Sequence, residues 1–592
     1  MNNPPIRLAN FGPLDAHVRS AIAALEAENI VPRIWARDHR VWKNRDEEIG
    51  NRLGWLTAPD DAAAAAIEAS RFAAEVKAEG IEHVLLLGMG GSSLAPDVFG
   101  RVLGPVSGFP ALHVLDSTDP SAVLHFRETL PPDRTLFIVS SKSGSTLETS
   151  SFLKYFFAET SALLGPEAAG RRFAAVTDPG SSLEHLGARL GFRRVFAGDP
   201  DIGGRFSVLS PFGLVPAALL GIDVQALLAS ASRAAAACRA GIIPENPGAL
   251  LGALLGTAAR EGLDKMAVLL PPRLESLGAW IEQLVAESTG KEGRGILPLV
   301  RRDPQNHVDT DGLIEFGDDV LWVVFDTPGD TSWRAAAKKT ADAGRPMITI
   351  ATDGLSGLGE QFFLWEFATA VTGHVLGINP FDQPNVASAK KKTDAVLEIY
   401  RRTGSLPKSR PVYEDVHLAV DGRAFATEVD PRAKPGAPTA VETDFETSET
   451  ADALRRFVGR AGRRDYLALQ AFLPPHPAVA AALRWLALRL QTAVRRPAVC
   501  DFGPRFLHST GQLHKGDRGN GLFIQLTGAH DIDAAIPMDP DSTNSEFTFG
   551  TLIDAQACGD REALQEMGRR LLRIHLRGDP AEALNGLAAS LT

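Results

Sequence analysis

Short apolar runs alternate with helical segments through the first two thirds of the chain. The runs His83–Leu87, Leu112–Leu115, Leu136–Val139, Arg172–Val176 and Arg194–Phe196 are separated by stretches of helical spacing. Met266–Leu270, Val320–Phe325 and Met347–Ala351 form a second series. Runs that are apolar throughout belong to strands covered on both faces, and parallel strands need a crossover, usually a helix. The pattern predicts an α/β fold with two doubly wound parallel-sheet domains, residues 62–236 and 237–403. A helical lead-in, residues 1–61, precedes them. Within and after it, Leu14–Glu28 has helical spacing and an alanine-rich helix, Asp61–Glu79, stops at Gly80. Residues 404–450, rich in Pro, Gly, Thr and charge, read as a linker or irregular excursion. Beyond them, Ala451–Arg460, Tyr466–Phe472, Pro477–Thr492 and Leu522–Leu526 predict a smaller C-terminal α/β unit, residues 451–592, with a final helix near Asp560–Leu576.

Length agrees with several domains: 592 residues is well above the ~250–300 at which one core stops growing. The balance of 44% apolar and 22% charged residues is that of a soluble globular protein. No apolar stretch is long enough and free enough of charge to predict a membrane span. Cys238, Cys500 and Cys558 are scattered, and the start lacks a signal pattern, so a reducing cytoplasm is expected. The net charge of −11 opposes nucleic acid and anionic membrane as partners. It does not oppose a small anion held by local donors. There is no HExxH, no Cys/His cluster and no acidic calcium loop, so neither metal nor cofactor is expected.

Two strand–loop–helix junctions carry chemistry. The first is Gly88-Met-Gly-Gly-Ser-Ser93, which includes Gly91 and Ser92. Its glycines let the backbone approach a ligand, and the helix that follows opens with free N–H groups and a positive dipole end, which suit phosphate. Neither the dinucleotide fingerprint nor the P-loop fits, because position 93 is Ser and no Gly-Lys-Ser/Thr follows. A tight turn with an N-cap serine would look the same. The second junction is Ser141-Lys-Ser-Gly-Ser-Thr146. Ser145 and Glu148 have capping-box spacing, which leaves Ser141, Ser143 and Thr146 as hydroxyls beside Lys142. Many short donors with modest charge are what a phosphate monoester needs. Two such loops at strand C-termini would meet at a crevice.

These stretches resemble the sugar-isomerase (SIS) domains of glucose-6-phosphate isomerases. Asp201-Ile-Gly-Gly-Arg205-Phe-Ser207 is similar to that family's GGR-(Y/F)-S motif, Glu287-Ser-Thr-Gly-Lys291 to its ES-x-GK motif, and Asn379-Pro-Phe-Asp-Gln383 with Lys390 to its N-x-FDQ…K motif. Ile34-Trp35, Trp42-Lys43 and Arg52-Leu-Gly-Trp-Leu56 resemble the isomerase half of a bacterial branch that is fused behind a transaldolase; a separate transaldolase partner stays open. The resemblance implies reversible conversion of glucose 6-phosphate and fructose 6-phosphate, a step of glycolysis and gluconeogenesis, through a cis-enediol. Another sugar phosphate, or a non-catalytic sugar-phosphate-binding regulator, is the alternative.

It also implies roles. Gly91, Ser92, Ser141, Lys142, Ser143 and Thr146 would hold the phosphate. Glu287, close to the apolar side of its helix, would be the base, sharpened by desolvation. Arg205 would stabilise the enediolate. Gln383 and Lys390 would contact sugar oxygens, with Lys390 aiding ring opening. The family's ring-opening histidine comes from a neighbouring subunit, from the interval that here holds only His307 and His374. Leu507-His-Ser-Thr-Gly-Gln-Leu-His514-Lys-Gly516, far downstream, is similar to a stretch of the fused branch. His514 is the candidate expected to open the ring, with His508 and His307 behind it. Homodimer and monomer are both compatible with that placement.

Overall fold

The computed structural model describes residues 5–300, 310–331, 333–407, 411–414, 418–421 and 450–591. The first strand, β1 (Ile6–Ala9), lies inside the stretch read as a helical lead-in. The first full sheet comprises β2 (His83–Gly88), β3 (Ala111–Leu115), β4 (Thr135–Ser140), β5 (Phe173–Thr177) and β6 (Arg194–Ala197). All are parallel, in the order β3-β2-β4-β5-β6. β4 and β5 are buried along their whole length, which is why they read as unbroken apolar runs.

The second sheet joins β7 (Lys265–Leu269), β8 (Leu297–Val300), β9 (Val320–Asp326) and β10 (Met347–Ala351) in parallel, in the order β1-β10-β9-β7-β8. β1 closes its far edge antiparallel to β10, with Ile6 opposite Ile350. β8 was not predicted; it contains Pro298, which lacks a donor and is tolerated because β8 is the edge.

The C-terminal unit corrects two expectations. β11 (Pro411–Glu414) and β12 (Leu418–Asp421) fall in the stretch read as a linker and join the third sheet; the remainder of 408–449 lies outside the described residues. The segment expected to be one final helix is divided. Its start belongs to the helix Phe549–Glu566, its remainder is a strand, and the last helix is Pro580–Ser590. Gly568, at φ 69°, ends the helix run. Leu571, Leu572, Ile574 and Leu576 then enter the core as strand residues. Besides β11 and β12 the sheet holds β13 (Tyr466–Phe472), β14 (Ala498–Phe502), β15 (Gly521–Gly528) and β18 (Arg570–Leu576), and β16 (Ala535–Pro537) and β17 (Ser545–Thr548) form a separate hairpin. Its parallel core runs β14-β13-β15-β18. Among the parallel strands of each sheet the second lies outside the first, and the third lies on the first strand's other side.

The third unit is packed against both others. Tyr466, Ala468, Leu513 and Phe523 share a core with Trp322, Val324 and Ala286 beside the second sheet. Phe549, Leu552 and Ala555 share one with Leu87, Val139 and Phe152 of the first. A buried ion cluster sits at the second junction. Lys265 Nζ donates to Asp264 (2.8 Å), Asp319 (2.5 Å) and the carbonyl of Arg464 (3.0 Å), and Arg518 reaches Asp264 at 2.6 Å. Removing the ammonium leaves the buried Asp319 carboxylate without its cation, while Asp264 keeps Arg518. Lys265→Met is expected to cost about 3–5 kcal/mol, read as a fall in melting temperature of several degrees. Adding Asp319→Asn should restore part of it; an unchanged melt for Lys265→Met would contradict the role of the cluster.

Candidate active site

The order β3-β2-β4 places the strand reversal between β2 and β4, and loops at strand C-termini beside such a reversal form a crevice. The loops after β2 and β4 are the two hydroxyl-rich junctions. After β2, Gly90 (φ 56°) turns the chain into the helix Gly91–Val102. Ser92 is half-buried there, and Ser93 Oγ turns back to the Gly90 carbonyl at 3.1 Å. After β4, the helix Leu147–Leu164 begins behind Thr146. Ser141 Oγ donates to Thr146 Oγ1 (3.2 Å), and Ser143 and Ser145 share a hydrogen bond at 3.0 Å on the exposed lip. Lys142 is not turned into this loop. Its Nζ is held by Asp178 (2.5 Å) and the carbonyls of Asp199 (3.0 Å) and Pro200 (3.2 Å). Hydroxyls and helix N–H groups therefore line this loop, with the lysine charge behind them.

The turn Gly203-Gly-Arg205 touches the first loop backbone to backbone: a Cβ on Gly91 would stand 2.0 Å from the Gly204 oxygen. The lead-in supports this turn. Leu53 bridges Ile202, Gly54 N–H donates to the Asp201 carbonyl at 2.8 Å, and the fully buried Trp55 packs on Phe206 with ring centroids 5.4 Å apart. Trp42 meets Phe381 edge-on at 4.9 Å, bracing the Asn379–Gln383 loop.

Arg205 is thereby fixed while 4% exposed. Its Nε donates to Ser288 Oγ (2.7 Å), its Nη2 to the carbonyls of Pro380 (2.5 Å) and Asp382 (3.0 Å), and its Nη1 to Gln383 Oε1 (3.2 Å). Burial pulls its pKa down and the Glu287 carboxylate pushes it back up; Nη1 stands 3.5 Å from Glu287 Oε1. Glu287 is buried near the end of the helix Leu277–Thr289. Gln283, one turn earlier, donates to Glu287 Oε2 (3.2 Å) and to the His508 carbonyl (2.7 Å). Lys291 Nζ holds Asp382 by its carboxylate (2.7 Å) and its carbonyl (2.6 Å). Burial and the Arg205 charge bring Lys291 down to about 8 against the pull of Asp382.

The two downstream histidines have different surroundings. His514 lies in the buried helix Gly511–Gly516 among Phe523, Phe506 and Tyr466, 5.1, 6.1 and 6.4 Å away. Gln470 is 3.2 Å from its Nδ1, and its Nε2 has no partner among the described residues. Burial, with Lys515 and Arg569 nearby, holds its pKa well below the usual range. His508 instead lines a cleft of about 100 Å³ together with Ser145, Glu148, Lys390, Lys515 and Gln556. Its ring is 3.0 Å from Glu148 Oε1. The structure thus brings His508, not His514, to the phosphate loop and to Lys390. His307 lies outside the described residues. His374 is bonded to the Val41 carbonyl at 2.6 Å, away from this cleft.

Glu148 does not form the expected capping box: Thr146 is the N-cap and makes no side-chain cap bond. The carboxylate turns to the C-terminal unit, where Gln556 Nε2 also donates to it at 2.7 Å and Thr118 Oγ1 donates to Gln556 Oε1 at 2.6 Å. Burial pushes its pKa up. The His508 charge and hydrogen bond, with Lys390, outweigh this and leave it at about 2. Sequence reading missed Glu148, Gln283 and Gln556 as site residues. Gln283, one helical turn before Glu287, was the detectable one; Gln556 had no local signal. Among the described residues no group of three His, Cys, Asp or Glu is placed to hold a metal ion. None of their helices is long and apolar enough to cross a membrane.

A doubly wound sheet with hydroxyl-lined helix starts at its reversal, beside a buried Glu–Arg pair, fits a phosphosugar isomerase. The phosphoglucose isomerase family model matches residues 65–319. A glucose-6-phosphate isomerase of Rubrobacter xylanophilus is 32% identical over 377 residues, 56% of this chain and 86% of the relative. One from Carboxydothermus hydrogenoformans is 31% identical over 409 residues, 60% and 86% respectively. The crystal structure of a hypothetical protein from Thermus thermophilus superposes with a TM-score of 0.57 at 28% identity, covering 66% of this chain and 99% of that one. The chain belongs to the glucose-6-phosphate isomerase family.

The Glu148 pair has a pH signature. Its folded pKa is below that of a free glutamate, so the ionised carboxylate stabilises the fold above the ordinary range and this is lost as pH falls toward 2. Melts of wild type and Glu148→Gln between pH 4.5 and 2 should show the variant losing stability less steeply. Parallel curves would contradict the pairing.

Proposed function

We propose that this enzyme interconverts glucose 6-phosphate and fructose 6-phosphate through a cis-enediolate, with Glu287 moving the proton. The observation that carries this reading is the run of contacts that starts at Glu148, two residues beyond the hydroxyl-lined loop, and passes through His508 and Gln283 to Glu287 and Arg205.

In this reading Ser92, Ser141, Ser143 and Thr146, with the N-termini of helices Gly91–Val102 and Leu147–Leu164, grip the phosphate. Lys142 adds positive charge from behind the loop. His508, oriented by Glu148, delivers a proton to the ring oxygen as its bond to C1 breaks, the C1 hydroxyl gives its proton to water, and the aldehyde is freed with Lys390 beside the ring oxygen. Glu287 then takes the proton from C2. The C2 electron pair forms the C1–C2 double bond, and the aldehyde oxygen becomes an enediolate oxygen that faces Arg205. Return of the proton from Glu287 to C1 on the same face, with the C2 hydroxyl proton passing to the C1 oxygen as the C2 carbonyl forms, gives the ketose. Arg205 is already held by four hydrogen bonds, so it need not reorganise as charge develops, the condition under which such stabilisation is largest. Gln383 orients the Arg205 fork and the sugar oxygens near it. All these groups come from one chain, so the reading requires no partner subunit.

A coupled assay of the purified protein on fructose 6-phosphate tests this. Glu287→Gln should lower kcat by about 10²–10⁴-fold, and EDTA should leave wild-type turnover unchanged. Undiminished activity in Glu287→Gln would overturn the base assignment, and EDTA-sensitive turnover would overturn a metal-free mechanism.

A further inference from the structure

The groups assigned above come from three distant parts of the chain, and one buried side chain bonds where those parts meet. Gln512 is fully buried. Its Nε2 donates to the Gly290 carbonyl (2.9 Å) and to Asn385 Oδ1 (2.6 Å), and its Oε1 accepts from the Asn385 N–H (2.9 Å). Both amide hydrogens and the carbonyl are therefore engaged. Gly290 is the cap of the helix that carries Glu287. Asn385 is in the first turn of the helix Pro384–Thr403, which carries Lys390 and follows directly on Gln383. Gln512 itself is one turn beyond His508.

The main chains around it are in direct contact. A Cβ on Gly290 would lie 2.3 Å from Leu513 Cα, and one on Gly516 would lie 2.2 Å from the Gly290 oxygen. Such contact permits close approach but does not by itself set a register. The Gln512 amide does, because its donors and acceptor fit only one alignment of the three segments. The requirement is for a neutral amide: a carboxylate there would face the Gly290 and Asn385 oxygens, both acceptors, with no proton to offer.

We infer that Gln512 is a positioning residue for catalysis, holding the Glu287, Lys390 and His508 segments in one register without touching substrate. This rests on the isomerase reading above. The phosphate anchor lies on the first sheet and is independent of Gln512, so the effect should appear in turnover and not in substrate binding. Misplacement of reacting groups by about 1 Å costs about 10²-fold.

The test is steady-state kinetics on fructose 6-phosphate for wild type, Gln512→Met, Gln512→Glu and Asn385→Asp, each with a thermal melt. Gln512→Met should lower kcat by about 10²-fold with KM within about twofold. Gln512→Glu should lose kcat comparably, and it keeps a polar group of the same size if the Met variant does not fold. Asn385→Asp preserves the Oδ1 acceptor and the backbone donor, so it should keep most of the wild-type kcat. Wild-type kcat in a folded Gln512→Met or Gln512→Glu overturns the inference, as does a loss confined to KM or an Asn385→Asp as impaired as Gln512→Met. An inactive wild type would overturn the isomerase reading itself, a different result.

Discussion

At Gly90 an added methyl group would stand 2.9 Å from the Gln283 amide nitrogen and 3.0 Å from the His508 carbonyl oxygen. At Gly91 it would meet Gly204, and at Gly290 it would meet Leu513. At these points the first loop meets the Gln283 amide and the His508 main chain, two turns of the first unit meet each other, and the second unit meets the third. Close-packed interiors tolerate little displacement, so such contacts locate main chain to within a few tenths of an ångström. The site depends on this. Loops from the first sheet, a helix end from the second and a turn from the third must arrive together for a carboxylate, a guanidinium and an imidazole to serve one small molecule. The C-terminal unit, with the same strand winding as the other two, supplies the third element from within the chain.

Charge is arranged around that geometry. The protein is acidic overall, with a net charge of −11, yet the end of the site proposed to hold the phosphate is built of neutral donors and helix starts, whose field is local. Deeper in, each buried charge faces an opposite one. Arg205 faces Glu287, Lys291 faces Asp382, and Glu148 faces His508. A buried charge without a partner is costly, and a partnered one is held in place. The partnering therefore sets where each group can act as well as whether it is ionised.

Much of this was legible in the sequence. The strands of the first two sheets are apolar throughout because they are covered on both faces, and the loops after β2 and β4 announce their chemistry by hydroxyl content. Glu287, Arg205 and Gln383 lie in motifs whose spacing survives folding, and the structure brings them into one hydrogen-bonded group. What could not be read depends on partners far away in the chain. Glu148 has cap spacing, and the residue that claims it is 360 positions away. Lys142 is a cation in a phosphate-like loop, and nothing local reveals that Asp178 holds it. His508 and His514 share one short segment. The chain reaches His508 through a 3₁₀ turn that exposes it to the cleft, then enters a buried helix that encloses His514 in aromatics. Helical spacing after Asp560 likewise failed to reveal β18, because a glycine break and a waiting sheet edge outweighed local preference.

The central claim is that serine-lined helix starts fix the phosphate so that C1 and C2 of the sugar lie against Glu287, with His508 of the same chain at the ring oxygen. A crystal structure of the protein with bound fructose 6-phosphate measures this directly. The expected result is phosphate on the Ser141–Thr146 loop, the first two carbons at the Glu287 carboxylate, and His508 and Lys390 beside the ring oxygen. Phosphate seated in another cleft, or C1 and C2 directed away from Glu287, would contradict it.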